Sequence, residues 1–556
     1  MRWNRFLCVF AVLCVVCAGC NRDSAELSDT TRDGNLSPRL QNLGAFHRTV
    51  TTSSDLARKY FDQGVVLVYG FNHAEAIRSF QEVARLDPDC AMAYWGQALA
   101  HGPNINDPIP DEQREQLAYE AVRTAVAKNA QASPVEQALI EALATRYSPK
   151  GNQERPALNA AYARAMTEVY RAYPNDPDVA TLYADAVMNT MPWDYWTHDG
   201  RPKPGIAEAV AALEATIRAY PNHPGANHFY IHIVEASPDP DRAVPSADRL
   251  GSLVPGAGHL VHMPAHIYIR VGRYKDAVDA NLKAIAADED YITQCRAQGI
   301  YPAAYYPHNI HFLSAVLAME GRSREALDAA GKVSHQHGEE MIEAPDFAFA
   351  HLLRTYPTFT LVRFGRWDDI LALPEPPGNQ PFGRAIHHFA RGLAFRAKGD
   401  LAQAGAELAA MDTAADMPRL QQLKLFGANS LGALARIAST VLAGELAAAR
   451  KQYPDAIRRL RDAVNQEDSL IYSEPPDWPI PVRHYLGAEL LEAGRAAEAE
   501  AVYREDLKRH RDNGWALFGL ARSLEAQGKR AEAADAQKRL QAAFARADMT
   551  ITASRF

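Results

Sequence analysis

Apolar and polar residues alternate with helical spacing along nearly the whole chain. In segments such as AEAIRSFQEVARL and PDAIRRLRDAV, apolar residues recur three and four positions apart, which is the period of an amphipathic α-helix. Ala, Leu, Glu, Arg and Gln, all strong helix formers, dominate these segments. No run of alternating apolar residues predicts a strand. The pattern therefore predicts an all-α protein.

The helical segments recur in pairs. Blocks that begin at Pro224, Gly258 and Pro307 align by their helix signals, and the first two begin 34 residues apart. Small residues fall at equivalent block positions, with alanine at position twenty and glycine between the two helices: Ala243, Ala277, Ala326, Gly272 and Gly321. This is the period of the tetratricopeptide repeat (TPR), a helical hairpin that stacks into a solenoid. We predict a TPR-type solenoid over residues 44–556, with about ten to eleven helix pairs.

Insertions interrupt the repeats and are expected to fold over the concave face of the solenoid. The insertion at 191–204 contains Trp193, Asp194, Tyr195 and Trp196. These side chains form either a lid over the groove or a filling for an irregular repeat. Further candidates for the groove come from earlier blocks: Asn104, Asn106 and Asp185.

Histidines fall in register within the three blocks at 224–340. Positions two, five and nine of the blocks hold seven of them: His228, His232, His259, His262, His266, His308 and His311. The chain has 19 histidines in 556 residues, so chance would place fewer than one in these nine positions. These positions share one face of a helix, and neighbouring helices in a stack lie about 8–10 Å apart. We therefore expect the seven imidazoles to converge in one concavity, with Glu235 at its edge.

A convergent histidine cluster has three interpretations. Pairs three or four residues apart on a helix are arranged as metal-binding histidines are, and imidazole suits zinc, copper, iron or nickel rather than calcium or magnesium. Imidazole donors also bind carboxylates, phosphates or peptides. Packing alone is the third interpretation, although stacked imidazoles gain nothing over leucine and repel one another when charged. With seven candidate ligands, some are expected to support others or to serve a second ion.

The sequence does not decide whether the protein is an enzyme. The sequence contains no GxSxG, Walker or HExxH motif, and no catalytic residue is identified. A metal-dependent hydrolase with Glu235 as general base is one alternative. A scaffold that binds a peptide or protein partner in its groove is the other.

The N-terminus predicts export from the cytoplasm. Met1 to Cys20 combines two arginines, a short apolar run and the ending Ala-Gly-Cys, as a bacterial lipoprotein signal does. Residues 1–20 are therefore predicted to be a signal peptide with lipidation at Cys20, and 21–43 a flexible tether. The protein is expected in the periplasm or at the cell surface, held to the membrane only by this anchor.

The net charge and a family resemblance bear on the partners and the architecture of the protein. The net charge of −8 gives no support for nucleic-acid binding. The segments NHFYIH (227–232), HLVHMPAHIYIRVGRY (259–274) and EPPDWPIPVR (474–483) resemble a family of secreted bacterial TPR proteins. That resemblance implies the solenoid architecture and assigns no catalytic role. Because TPR grooves usually bind peptides or helices, the expected partner of a TPR lipoprotein is an envelope protein or peptide.

Overall fold

The structure, a computed structural model, describes residues 34–297, 299–338, 341–342 and 347–556. The predicted signal peptide and Cys20 lie outside the described residues. The helices are α1 (Asp55–Tyr69), α2 (His73–Leu86), α3 (Ala91–His101), α4 (Glu112–Ala127), α5 (Pro134–Ala144), α6 (Arg155–Ala172), α7 (Pro177–Met188), α8 (Ile206–Ala219), α9 (Pro224–Val234), α10 (Val244–Leu253), α11 (Gly258–His262), α12 (Pro264–Arg270), α13 (Tyr274–Cys295), α14 (Tyr306–Met319), α15 (Ser323–Ser334), α16 (Ala348–Arg363), α17 (Trp367–Ala372), α18 (Pro381–Ala397), α19 (Leu401–Ala415), α20 (Pro418–Gln422), α21 (Leu431–Ala449), α22 (Tyr453–Asp468), α23 (Val482–Glu492), α24 (Ala496–Arg509), α25 (Gly514–Ala526) and α26 (Arg530–Ala543).

Successive helices pack as hairpins, and the predicted all-α solenoid is confirmed. The sequence marks the turns within two of these hairpins with glycine. Gly272 between α12 and α13 and Gly321 between α14 and α15 have φ angles of 78° and 70°. Glycine adopts this left-handed conformation without the steric cost that a Cβ atom brings.

One small hairpin departs from the all-helical pattern. Strands β1 (Lys424–Leu425) and β2 (Asn429–Ser430) pair antiparallel. Phe426 and Gly427 between them have φ angles of 47° and 77°, and the amide of Ala428 donates to the Leu425 carbonyl over 2.8 Å. Two successive left-handed residues make the type I′ turn that joins short antiparallel strands. Strands of two residues lie below what periodicity can detect.

The solenoid coils far enough for distant repeats to touch. The Tyr69 hydroxyl at the end of α1 donates to Asp178 Oδ1 in α7 over 2.6 Å. The Trp515 indole in α25 donates to the Ala318 carbonyl in α14 over 3.1 Å. Helices α9 to α14 lie between these two closures, so the histidine-rich blocks are covered from both ends of the chain.

Residues 34–43, the last part of the predicted tether, lie against the first hairpin. Ser37 is fully buried, and its hydroxyl donates to Glu75 Oε1 over 2.6 Å. The backbone amide of Leu36 donates to Glu82 Oε2 over 3.0 Å. These buried polar contacts hold the segment in place because leaving their carboxylates unpaired costs free energy.

Among the described residues, one helix has the length and composition to cross a membrane. This helix is α21, and 72% of its apolar stretch is buried within the protein. Such burial is what the core helix of a solenoid requires.

Candidate metal centre

Four short helices in the middle of the chain carry the predicted histidines. Helix α9 begins at Pro224, where a missing N–H costs nothing. The next block is broken into α11 and α12 by Pro264, which cannot donate to the preceding turn. Gly258 at the start of α11 lies so close to Asp288 of α13 that a Cβ atom would meet Oδ1 at 1.9 Å. Glycine at this position therefore lets the start of α11 pack directly against α13.

The first triad consists of His228, His232 and His259. One ring nitrogen of each lies within 4.8 Å of the other two, and all three side chains are buried. The Nε2 atoms of His228 and His259 are 3.1 Å apart. His232 lies next to both, with ring centroids 4.8 Å from His228 and 5.8 Å from His259.

The second triad consists of His262, His266 and His308 and meets the same distance limit. Its Nε2 atoms point at one another. His262 Nε2 is 2.9 Å from His266 Nε2 and 3.2 Å from His308 Nε2. Two nitrogens bound at about 2.1 Å to one tetrahedral ion lie roughly 3.4 Å apart, so the ring nitrogens need to separate only slightly to form a ligand set.

Both triads follow one rule of the repeat. Each takes positions five and nine of one block and position two of the next block. In the first triad these are His228, His232 and His259, and the same positions one repeat later give the second triad. Because stacked repeats place equivalent residues in equivalent surroundings, the sequence register generates two similar sites side by side.

Glu235, the residue that follows α9, joins the two triads. Its Oε1 accepts from His232 Nδ1 over 3.0 Å and its Oε2 accepts from His266 Nδ1 over 2.6 Å. The carboxylate therefore lies between the two rings at position nine rather than at the edge of the cluster. A carboxylate on the outer nitrogen orients a metal-binding imidazole and strengthens it as a ligand.

These hydrogen bonds fix the ring tautomers. His266 Nδ1 donates a hydrogen bond to Glu235, and His262 Nδ1 donates to Asn281 Oδ1 over 2.7 Å. The Asn281 amide is oriented because its Nδ2 donates to the Ala277 carbonyl over 2.8 Å. A neutral imidazole carries one proton, so the Nε2 atoms of His262 and His266 present lone pairs to each other. Two acceptors at 2.9 Å repel unless a cation lies between them.

Burial keeps most of these imidazoles neutral. It lowers the pKa of His228, His259, His262 and His308 well below the usual range, and repulsion from neighbouring imidazoles lowers it further. For Glu235, burial acts to raise the pKa, but the interaction with His266 and the hydrogen bonds from both imidazoles outweigh it and bring the pKa to about 2. Neutral imidazole is the form that binds metal ions.

Aromatic rings enclose the six imidazoles. Phe71 lies 4.9 Å from His228 and 5.1 Å from His259, between ring centroids. Phe312 lies 4.9 Å from His262, and Trp193 covers both triads. The concave face is therefore a closed interior here, because Phe71 from the first hairpin and Trp193 from the insertion at 191–204 pack on the imidazoles.

Comparison with known protein families identifies the repeat. The tetratricopeptide repeat family matches residues 61–101, which include most of α1, all of α2 and α3. Residues 61–101 form a tetratricopeptide repeat. This repeat type is a protein-binding scaffold, and the helical-hairpin solenoid continues it through the histidine blocks. Comparison of the sequence with curated proteins finds no match.

Solved structures with a similar course of the chain are distant. Human IFIT1, in a dimer with m7Gppp-AAAA, is 12% identical and aligns over 89% of this chain and 91% of its own, with a TM-score of 0.32. Yeast Tom70 is 12% identical over 88% and 93%, with a TM-score of 0.28. Cut9, from the APC/C hetero-tetramer Cut9–Hcn1, is 12% identical over 90% and 76%, with a TM-score of 0.27.

His311 does not join the other histidines, and its predicted convergence is wrong. It occupies position five of the third block, but position nine of that TPR-type block is Ala315. The His311 ring packs instead on Tyr356 of α16, with ring centroids 4.2 Å apart. Burial lowers its pKa to about 3. The repeat rule thus ends after two triads because the next repeat offers an aromatic ring in place of a histidine.

The insertion at 191–204 reaches the triads through Trp193. Its ring lies 5.2 Å from His232 and 6.5 Å from His266, between centroids. Its indole N–H donates to Asn106 Oδ1 over 3.1 Å. Asn104 supports the loop after α3, which contains Asn106, by accepting from the backbone amide of Asn106 over 2.8 Å.

Three other predicted groove residues lie away from the imidazoles. The Trp196 indole donates to the Ile233 carbonyl over 2.7 Å and anchors the insertion. Asp194 pairs with Lys203, and its side chain is 44% exposed. Asp185 occupies position nine of an earlier block and accepts from Asn189 Nδ2 over 2.8 Å. Burial raises its pKa to about 6.

Sequence reasoning missed the residues that hold the triads from outside the blocks' first helices. Asn281 lies in α13, where nothing in the pattern distinguishes it. Tyr472 comes from the proline-rich loop before α23, and its hydroxyl lies 3.4 Å from Glu235 Oε2 and 2.9 Å from Glu474 Oε1. Arg270 stacks on the Tyr472 ring at 5.3 Å and donates to the Glu235 carbonyl. The interruption of the repeat pattern by this proline-rich loop is the sequence feature that could have indicated a role for Tyr472.

Proposed function

We propose that this protein binds a transition-metal ion on buried imidazoles inside a TPR-type solenoid. One observation carries the proposal. The Nε2 lone pairs of His262 and His266 face each other at 2.9 Å, while Asn281 and Glu235 hold the protons on the opposite nitrogens. Such a pair requires a cation. The all-imidazole donor set favours zinc, copper, iron or nickel.

Packing alone and anion binding account less well for this arrangement. An anion needs N–H donors, but the facing nitrogens are acceptors. A proton shared between the two rings is the remaining alternative to a metal. Burial in apolar surroundings opposes a charged imidazole, whereas a bound metal ion is stabilised directly by the lone pairs.

Metal analysis of protein purified without a histidine tag tests the proposal. We expect the folded protein to retain zinc, copper, iron or nickel through extensive dialysis, and to take up Zn²⁺ after chelation. Replacing His262, His266 and His308 together by Ala should remove binding at that triad while helix content is kept. Protein that is folded and yet neither retains a metal nor takes up Zn²⁺ contradicts the proposal.

A partner-binding role is the second candidate, supported by the tetratricopeptide repeat at 61–101. Because these histidines are enclosed within the protein, we place the partner surface elsewhere on the solenoid. Recovery of a defined partner from envelope extract by the wild-type protein and by the His262, His266 and His308 variant alike supports a scaffold role that is independent of metal.

The proposal also places the protein outside the cytoplasm, in the periplasm or at the cell surface, on a lipid anchor at Cys20. The short apolar run and the Ala-Gly-Cys ending at residues 18–20 support this location. The variant Cys20→Ala should be found in the soluble fraction or remain unprocessed. Unchanged membrane fractionation of that variant contradicts the anchor.

A further inference from the structure

We infer that each triad holds its own ion, so that the chain binds two transition-metal ions side by side. This inference deepens the proposed function and rests on it. The two triads come from the same three repeat positions, displaced by one repeat, and each brings three imidazole nitrogens within 4.8 Å of one another. Because the same three repeat positions recur one repeat later, the next repeat forms a second set of three imidazole ligands.

The donors are too many and too widely spread for one four-coordinate ion. The rings of the two triads lie 5.6 Å apart at His232 and His266, and 6.1 Å apart at His259 and His262. Ring centroids within one triad are also as much as 5.8 Å apart, so the ring nitrogens, and not the centroids, divide the six histidines. Facing Nε2 atoms of one triad approach to 2.9–3.2 Å, and each triad forms its own set of three nitrogens within 4.8 Å. The nitrogens therefore gather around two points.

The first triad carries its own sign of a ligand. His232 Nε2 is buried and has no hydrogen-bond partner among the described residues. The opposite nitrogen of His232 donates to Glu235, so its Nε2 is a lone pair held away from water. A buried polar atom without a partner costs about 1–3 kcal/mol, and a metal ion at this point removes that cost.

The outer hydrogen-bond partners of the imidazoles make the two sites unequal in affinity. Both triads share the Glu235 carboxylate, and two cations repel across the short distance between them. In the second triad two of three imidazoles have a fixed outer partner, Glu235 or Asn281. In the first triad only His232 has an oriented carboxylate partner. The second triad should therefore bind its ion first, and the first triad should bind its ion with lower affinity.

Equilibrium dialysis of the full chain against Zn²⁺ tests this inference. Wild-type protein should bind two zinc ions per chain in two resolved steps. The variant His228→Ala/His259→Ala should keep one ion at the tighter affinity. The variant His262→Ala/His308→Ala should keep one ion at the weaker affinity. His311→Ala, which lies outside both triads, is the matched control and should bind two.

The failures of the two proposals are distinguishable. Folded wild-type protein with no zinc overturns the proposed function as well as this inference. One zinc ion in the wild type, or loss of all zinc in either double variant, overturns only the inference of two sites. Helix content measured by circular dichroism establishes that each variant is folded. If an alanine variant loses helix content, the corresponding asparagine pair replaces it in the same comparison.

Discussion

Two buried carboxylates in this molecule, Asp506 and Glu235, each lie between two imidazoles. They differ in whether the far nitrogens of those imidazoles find hydrogen-bond partners. Asp506 in α24 accepts from His484 Nε2 through Oδ2 and from His510 Nδ1 through Oδ1, both over 3.1 Å. The far nitrogen of His484 accepts from the Arg363 guanidinium over 3.1 Å. Because Nε2 carries the proton and Nδ1 the lone pair, each nitrogen of that ring has a partner of the right kind. This arrangement is complete without any added ion.

Glu235 starts from the same geometry and leaves it incomplete. It also accepts hydrogen bonds from two imidazoles, His232 and His266. The far nitrogen of His266 then meets the far nitrogen of His262, and that of His232 has no partner among the described residues. The comparison teaches that a carboxylate between imidazoles is a structural device in itself. The groups that meet the far nitrogens decide whether the site requires a ligand.

The largest expected effect lies at the complete arrangement. Asp506→Ala leaves buried His484 without its hydrogen-bond acceptor and His510 without its counter-charge, and removing one partner of a buried pair costs about 3–5 kcal/mol. We expect the free energy of unfolding, measured by urea titration, to fall by this amount. Zinc affinity should be unchanged because Asp506 lies outside both triads.

The control for that substitution is Asp512→Ala, whose carboxylate pairs with Arg539 at a half-exposed site. Exposed pairs contribute about 0–1 kcal/mol. If Asp506→Ala is no more destabilising than this control, the buried arrangement does not contribute to stability as described.

The next effect lies at the incomplete arrangement. Glu235→Gln keeps the size of the side chain but offers one acceptor oxygen for two Nδ1–H donors. One imidazole at position nine then loses its orientation, and zinc affinity should fall about 10- to 100-fold. Isothermal titration with Zn²⁺ measures this change. The matched variant Asp506→Asn should bind zinc as the wild type does, and equal affinities in the two variants would remove the distinction between the arrangements.

A smaller effect depends on pH. Burial acts to lower the pKa of His510, but the Asp506 charge outweighs it and the pKa is raised. A raised histidine pKa contributes stability that is complete below the unfolded value of about 6.5 and is lost as the pH rises through the folded value. Nearby Glu467, whose pKa burial raises to about 7, faces the same ring and changes stability in the same direction.

We therefore expect His510→Gln to reduce the decline in unfolding free energy above about pH 6.5. The reduction is at most about 1.4 kcal/mol per pH unit, the contribution of one titrating group. Denaturant titrations at several pH values measure the slope. His198→Gln, at an exposed position, should keep the wild-type slope; a wild-type slope in His510→Gln as well contradicts the assigned pKa shift.

Most of the architecture follows from local sequence signals. Helical periodicity, turn glycines and repeat spacing predict the solenoid because each depends on residues close in the chain. The convergence of six histidines follows from the same register. His311 fails because its neighbour across the stack is Tyr356, and the repeat rule carries no information about the residue supplied by the following repeat.

The parts that the sequence does not predict depend on contacts between distant segments. Tyr472 reaches Glu235 from 237 positions away, and Phe71 arrives from the first hairpin. The closure of the groove into an interior depends on how far the solenoid coils, which is a sum of small rotations between repeats. Asn281 orients His262, yet its position in α13 has no distinguishing pattern.

X-ray absorption at the zinc edge of the reconstituted full chain tests the central claim most directly. We predict a first shell of nitrogen at about 2.0–2.1 Å with the scattering pattern of imidazole and no sulfur. That shell should persist in His311→Ala, whereas the variant lacking His262, His266 and His308 should keep zinc only at the first triad and so bind fewer ions per chain. A shell without imidazole, or folded protein that retains no zinc for the measurement, contradicts a metal centre built on these histidines.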